Sequence, residues 1–163
     1  MKVYIRNKMI SWGGDSEVLN ESQAPVFRVE GKVVTCTKKK RMYNMKGELL
    51  YTIRNRFWNG FFNKVFVYNA EGVRVATIKK NKFSFSARYH IVDTEDEMSI
   101  EGKLFSRFST IMRNGQPVAT ITREFTVVND AFTLEAEEKD IPFFTALVIA
   151  FDNLKDKRQG DRD

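Results

Sequence analysis

Cysteine and histidine each occur once in the 163 residues, at Cys36 and His90, and proline only three times. A lone cysteine closes no internal disulfide, and one cysteine with one histidine supplies no ligand set with zinc spacing, so neither a metal nor any other cofactor is expected. Both residues sit in strand-like surroundings, Val33-Val34-Thr35-Cys36-Thr37 and Arg88-Tyr89-His90-Ile91-Val92, where packing is the ordinary role and no partner marks a nucleophile or base. Carboxylates gather in two runs, Asp93-Thr94-Glu95-Asp96-Glu97 and Glu135-Ala136-Glu137-Glu138. These lack the alternation and glycine of a calcium loop and read as solvated turns. Gly13-Gly14 is followed by neither a helix start nor Lys-Ser/Thr, so it reads as a turn and not a phosphate loop. With so little for chemistry to stand on, a non-enzymatic protein is expected. A secretory signal is also missing, because Lys2, Arg6 and Lys8 interrupt the apolar residues at the start. A cytoplasmic location is the simplest expectation.

Long apolar runs are scarce as well, with one exception near the end. From Phe143 to Phe151 only Thr145 is polar, so a helix here is apolar on every face and has to be buried all round. Asp140 is placed to accept hydrogen bonds from the first free backbone N–H groups, Pro142 fits the first turn, and Lys155, Lys157 and Arg158 suit the negative end of the dipole. From Ile141 to Leu154 the helix is about 21 Å long. That is shorter than the roughly 30 Å of a bilayer core, which favours a core helix over a membrane span.

The body of the chain repeats itself. Tyr43-Asn44-Met45-Lys46-Gly47 through Thr52-Ile53 matches Tyr68-Asn69-Ala70-Glu71-Gly72 through Thr77-Ile78 at a displacement of 25 positions, and Arg113-Asn114-Gly115 through Thr120-Ile121 is a third copy. Each predicts a β-hairpin with glycine at positive φ in the turn. A weaker copy, Asn20 to Val29, lacks the glycine. Val29-Glu30-Gly31-Lys32 recurs as Ile100-Glu101-Gly102-Lys103, so the chain divides into two related halves. Strands are expected over 3–6, 26–30, 33–37, 41–44, 49–54, 64–69, 74–79, 88–92, 98–101, 104–112, 117–122 and 125–135, about a dozen in all. A sheet of that size hides its edges by closing into a barrel, and a barrel of about twelve strands encloses more than its own side chains fill. The apolar helix is the one segment suited to the space. The expected fold is mainly β: an antiparallel barrel of about twelve strands enclosing a hydrophobic C-terminal α-helix. One domain is expected over 1–157, followed by a polar tail over 158–163.

Several of these segments, taken in order, resemble the LURP-one-related family, in the manner of its bacterial, YxjI-like branch. They are Tyr4-Ile5-Arg6-Asn7-Lys8-Met9-Ile10-Ser11, the Val29-Glu30-Gly31 turn, the stretch from Lys38-Lys39 to Tyr43-Asn44, the Gly-to-Thr-Ile hairpins and the apolar C-terminal segment. The resemblance covers nearly the whole chain. It implies kinship with the tubby C-terminal domain and with phospholipid scramblases, and hence a twelve-stranded barrel around a C-terminal helix. Tubby domains bind phosphoinositide head groups through basic side chains and scramblases act on membranes, whereas the LURP-one-related branch implies no chemical activity.

Charge points the same way. The net charge of +6 conceals a segment, residues 28–88, with fifteen Lys/Arg against three acids; the remainder holds twelve basic and eighteen acidic side chains. Such polarity favours an anionic partner for one part of the surface, provided that strands from the two parts do not interleave in space and cancel. The candidate anion-binding residues are Lys38, Lys39, Lys40 and Arg41, Arg54 and Arg56 after one hairpin, and Lys79, Lys80 and Lys82 after the next. Beside them Phe57-Trp58-Asn59-Gly60-Phe61-Phe62 suits either a bilayer interface or the face of the central helix. The expected function is a non-enzymatic intracellular binding domain for anionic lipid head groups, attached peripherally at the inner membrane face. The alternative is a structural or regulatory protein-interaction module with no lipid role. Nucleic acid ranks lower, for want of a recognised binding signature.

Overall fold

The computed structural model describes residues 1–6, 16–32, 39–55, 64–80, 88–102, 107–124 and 131–155. Within them the strands are β1 (Lys2–Arg6), β2 (Ser16–Asn20), β3 (Pro25–Lys32), β4 (Lys39–Asn44), β5 (Leu49–Asn55), β6 (Lys64–Asn69), β7 (Arg74–Lys80), β8 (Arg88–Val92), β9 (Met98–Glu101), β10 (Phe108–Arg113), β11 (Gln116–Glu124) and β12 (Ala131–Ala136). A short 3-10 turn, Glu138–Asp140, leads into helix α1 (Ile141–Lys155). Each strand pairs antiparallel with the next, and β1 pairs with β12 to close the barrel. The expected architecture is therefore the observed one.

Alternation of side chains sorts every strand into an inner and an outer row. Val3, Ile5, Val18, Val29, Met42, Ile53, Val65, Val67, Ile78, Ile91, Ile100, Ile111, Ile121 and Leu134 all point inward and are almost completely buried. Against them lies α1, on which Phe144, Ala146, Leu147, Val148, Ile149 and Ala150 are fully buried. The helix packs closest to β5, β6, β12 and β7. Phe151 meets the Tyr89 ring edge-on with centroids 4.7 Å apart, and Phe143, only partly covered, meets Tyr51 at 6.0 Å. The helix enters beside the β10–β11 turn and runs to the opposite rim.

The hairpin turns explain the repeat. Asn44 N–H donates to the Glu48 carbonyl, Gly47 N–H donates back to the Asn44 carbonyl, and Asn44 Oδ1 accepts from the Lys46 and Glu48 N–H groups. Asn69 does the same with Val73 and Gly72. Gly47 and Gly72 stand at φ 83° and 79°, where a side chain is disfavoured. The weaker copy forms the same turn from Asn20 to Ala24, with Gln23 at φ 62° in the glycine's place. Asparagine, more than glycine, is thus the common element.

Three expectations are corrected. Strand β2 was not expected, because its inward Ser16 and outward Leu19 break the apolar alternation. Gly31 lies inside β3, paired with Lys40, and not in a turn. Asp140 does not cap the helix with its carboxylate, which instead takes the Arg113 guanidinium through two bonds of 3.2 and 2.9 Å. Of the last expected strand, 131–135 lies in β12, while 125–130 and the expected strand 33–37 lie outside the described residues, as do Cys36, Lys157 and Arg158.

Two outcomes follow for stability. Leu147→Ala leaves a hole between helix and wall and should lower the unfolding free energy by about 2–5 kcal/mol in urea titrations. Gln23→Gly relieves a left-handed residue and should raise it, by up to about 1 kcal/mol.

Candidate functional site

The strictly sequential strand order decides what becomes of the charge asymmetry. Neighbours in sequence are neighbours in the wall, so β3 to β8 form one continuous side of the barrel and their charges do not interleave with those of β9 to β12. Those six strands contain a single acid, Glu30.

Register then places the cations. Lys39 faces Arg54 across β4 and β5, and Lys64 faces Lys79 across β6 and β7. Lys79 in turn faces His90 on β8. Directly opposed side chains have Cβ atoms about 4.5–5.5 Å apart, and like charges so placed are destabilising. Arg41 lies on the same outer row of β4 as Lys39, one step inward from the rim. Aromatic rings stand among these cations: Arg54 lies 5.6 Å from the Tyr68 centroid and Arg74 5.5 Å from that of Phe66. Three arginines on this side are committed to carboxylates, Arg28 to Glu30, Arg74 to Asp93 and Arg88 to Glu101. Among the described residues Arg41 and Lys79 form no ion pair.

Of the nine residues singled out from the sequence, Lys39, Arg41, Arg54 and Lys79 come together on the outer wall. Lys80 ends β7, its backbone in register with Tyr89 on β8. Lys38, Arg56 and Lys82 lie outside the described residues, as does Phe57–Phe62. Lys40 is a correction. It is 4% exposed and donates from Nζ to Asn153 Oδ1 of the helix, so it does not belong to the outer surface. The reason is parity: Lys40 is two residues from Met42, which points inward. Two members of the wall were missed. Lys64 shares its parity with the outward Phe66 and Tyr68, which could have revealed it. His90, expected to be a packing residue, is exposed, and its parity is opposite to that of the buried Tyr89 and Ile91.

A second polar cluster lies at the turn end. Arg113 binds Asp140, approaches Asp96 at 3.6 Å and covers the Phe144 ring with its guanidinium 5.2 Å from the centroid. Hydrogen bonding to Asp140 raises its affinity for its proton further. Asn114 donates to Asp96 and accepts from the Glu97 N–H, and Thr77 donates to Asp93. The acidic run 93–97 is therefore built into turn contacts. Among the described residues no three of His, Cys, Asp and Glu come close enough to hold a metal ion.

A closed antiparallel barrel of twelve strands around a buried C-terminal helix, with a cationic wall on one side, is consistent with the tubby-like class of domains. A family model described as LURP-one-related matches residues 1–152, and the chain belongs to that family. No curated protein and no solved structure gives a significant match.

Lys79 is the centre of the row Lys64, Lys79 and His90. Lys79→Gln should stabilise the isolated protein by a few tenths of a kcal/mol and up to about 1 kcal/mol at low ionic strength. The gain should vanish near 1 M salt, where the screening length is about 3 Å. Urea titrations at the two ionic strengths check both statements.

Proposed function

We propose that this protein is a non-enzymatic binding domain that docks on anionic phospholipid head groups through the outer wall of β3 to β8. The observation that carries the reading is the succession of like-charged residues facing one another, Lys39 with Arg54 and Lys64 with Lys79, on strands that hold one acid among them. An anionic surface attracts a wall so charged, by about 1 kcal/mol for each Lys or Arg close to it. Four or five such residues suffice for reversible attachment. The attachment is peripheral: among the described residues no helix is long and apolar enough to cross a membrane, and α1 spends its apolar faces on the barrel. Kinship with tubby domains and scramblases supports lipid over other anions, and a location at the inner membrane face goes with the same reading. An acidic protein partner, with no lipid role, is the competing interpretation.

Sedimentation with vesicles separates them. Vesicles containing phosphatidylglycerol or phosphoinositides should carry the protein down at low salt, neutral phosphatidylcholine vesicles should not, and binding should weaken steeply as salt rises. The combined variant Arg41→Glu, Arg54→Glu, Lys79→Glu should lose at least about tenfold in affinity, since it removes three favourable charges and adds three unfavourable ones. Glu135→Lys, on β12, should bind as well as the parent. Failure to bind anionic vesicles at low salt, or indifference to the triple reversal, would refute the lipid reading.

A further inference from the structure

Most of the cationic wall is permanently charged, but one member is not. His90 is the only histidine of the chain, and histidine is the side chain whose ordinary charge change falls between about pH 5 and 8. Strand alternation turns it outward on β8, between the buried Tyr89 and Ile91.

Register sets it at the end of a line. Lys64 on β6 faces Lys79 on β7, and Lys79 faces His90 on β8. Neighbouring strands lie about 4.8 Å apart, so the three positions span roughly 10 Å at right angles to the strands. The line then continues through Ser99 on β9 and Met112 on β10, neither of which carries charge. The charge state of His90 therefore decides whether the cationic line stops at β7 or reaches β8.

The groups around the imidazole leave that decision to it. Lys79 stands opposite on β7, and further along that strand Thr77 gives its hydroxyl to Asp93. On the other flank Ser99 is opposite, with Glu97 and Glu101 two residues to either side of it. Arg88, two residues before His90 on the same face of β8, is paired with Glu101, which sets one cation against one anion. The terminal ammonium, the other group that titrates near neutrality, is held by the Ala136 carbonyl on β12, with three strands between it and β8. Against an anionic surface, a cation added at His90 acts together with Lys79 and Lys64, since all three belong to one outer line.

We infer that docking on anionic phospholipid is proton-dependent, with His90 as the residue that reads the pH. Protonated, it lengthens the cationic line to β8 and strengthens attachment; neutral, it leaves the line at β7. The inference rests on the lipid reading above and adds its regulation. Linkage makes the effect reciprocal, because a surface that binds the protonated form more tightly also raises the affinity for the proton by the same factor.

Sedimentation with phosphatidylglycerol vesicles at fixed low ionic strength, at about pH 7.5 and about pH 6, tests it. The phosphodiester of this lipid keeps its charge across that range, as carboxylates do, whereas the phosphomonoesters of phosphoinositides change theirs. The parent should bind about threefold tighter at the lower pH, the effect of one added charge near the surface. His90→Gln should bind equally at the two pH values. His90→Arg should also lose the pH dependence, and at the higher pH it should bind about threefold tighter than the parent. A parent affinity that does not change with pH, or a gain at the lower pH that survives in His90→Gln, overturns the proton dependence and leaves the lipid reading in place. Absence of binding by the parent at both pH values overturns the two together.

Discussion

Everything in this molecule depends on the mutual burial of one helix and one closed sheet. The helix has no polar face to offer water, so it is insoluble without the barrel; the barrel has an inner surface of valine, isoleucine, leucine and methionine that would collapse or fill with water without the helix. Each solves the other's problem, and neither is a stable object alone. The hairpin turns, the closure of β1 on β12 and the grips at both helix ends serve to bring the two surfaces together and hold them in place.

With the interior settled in this way, the outer wall is released from structural duty and can carry charge. The meander is what makes the charge collective. In a sheet with crossovers, the basic segment would be dealt out among neutral and acidic strands, whereas here consecutive strands lie side by side and their cations form one field. Like charges stand opposite one another there, as Lys64 does to Lys79, on a fold held by its buried surface. The aromatic rings of Phe66 and Tyr68 soften the repulsion by lying under Arg74 and Arg54.

Much of this could be read from the chain because its signals are local and repeated. The asparagine five residues before the returning strand marks three hairpins by the same hydrogen bonds, and an apolar run broken only by Thr145, with a proline in its first turn, can hardly be anything but a buried helix. What escaped depended on parity or on distant partners. A run such as Lys38-Lys39-Lys40-Arg41 reads as surface, yet a strand turns alternate members inward, and only counting back from Met42 shows which one. Strand β2 escaped because its two inward positions are Ser16 and Val18, too little contrast to register. Asp140 was given the local task of capping, since nothing near it in sequence names Arg113, 27 residues away, as its partner.

Closure of β1 on β12 also governs how the protein comes into being. Lys2 pairs with Glu135, and the Met1 ammonium donates to the Ala136 carbonyl at 2.8 Å, so β1 waits for a strand that is made long after it before it has both neighbours. The helix that fills the interior comes later still. Until then twelve strands' worth of inward side chains have no counterpart, and contacts this remote in sequence form slowly. The native barrel has no open edge, but its nascent form has two, together with an unfilled groove, which makes synthesis the most aggregation-prone stage of the molecule's existence.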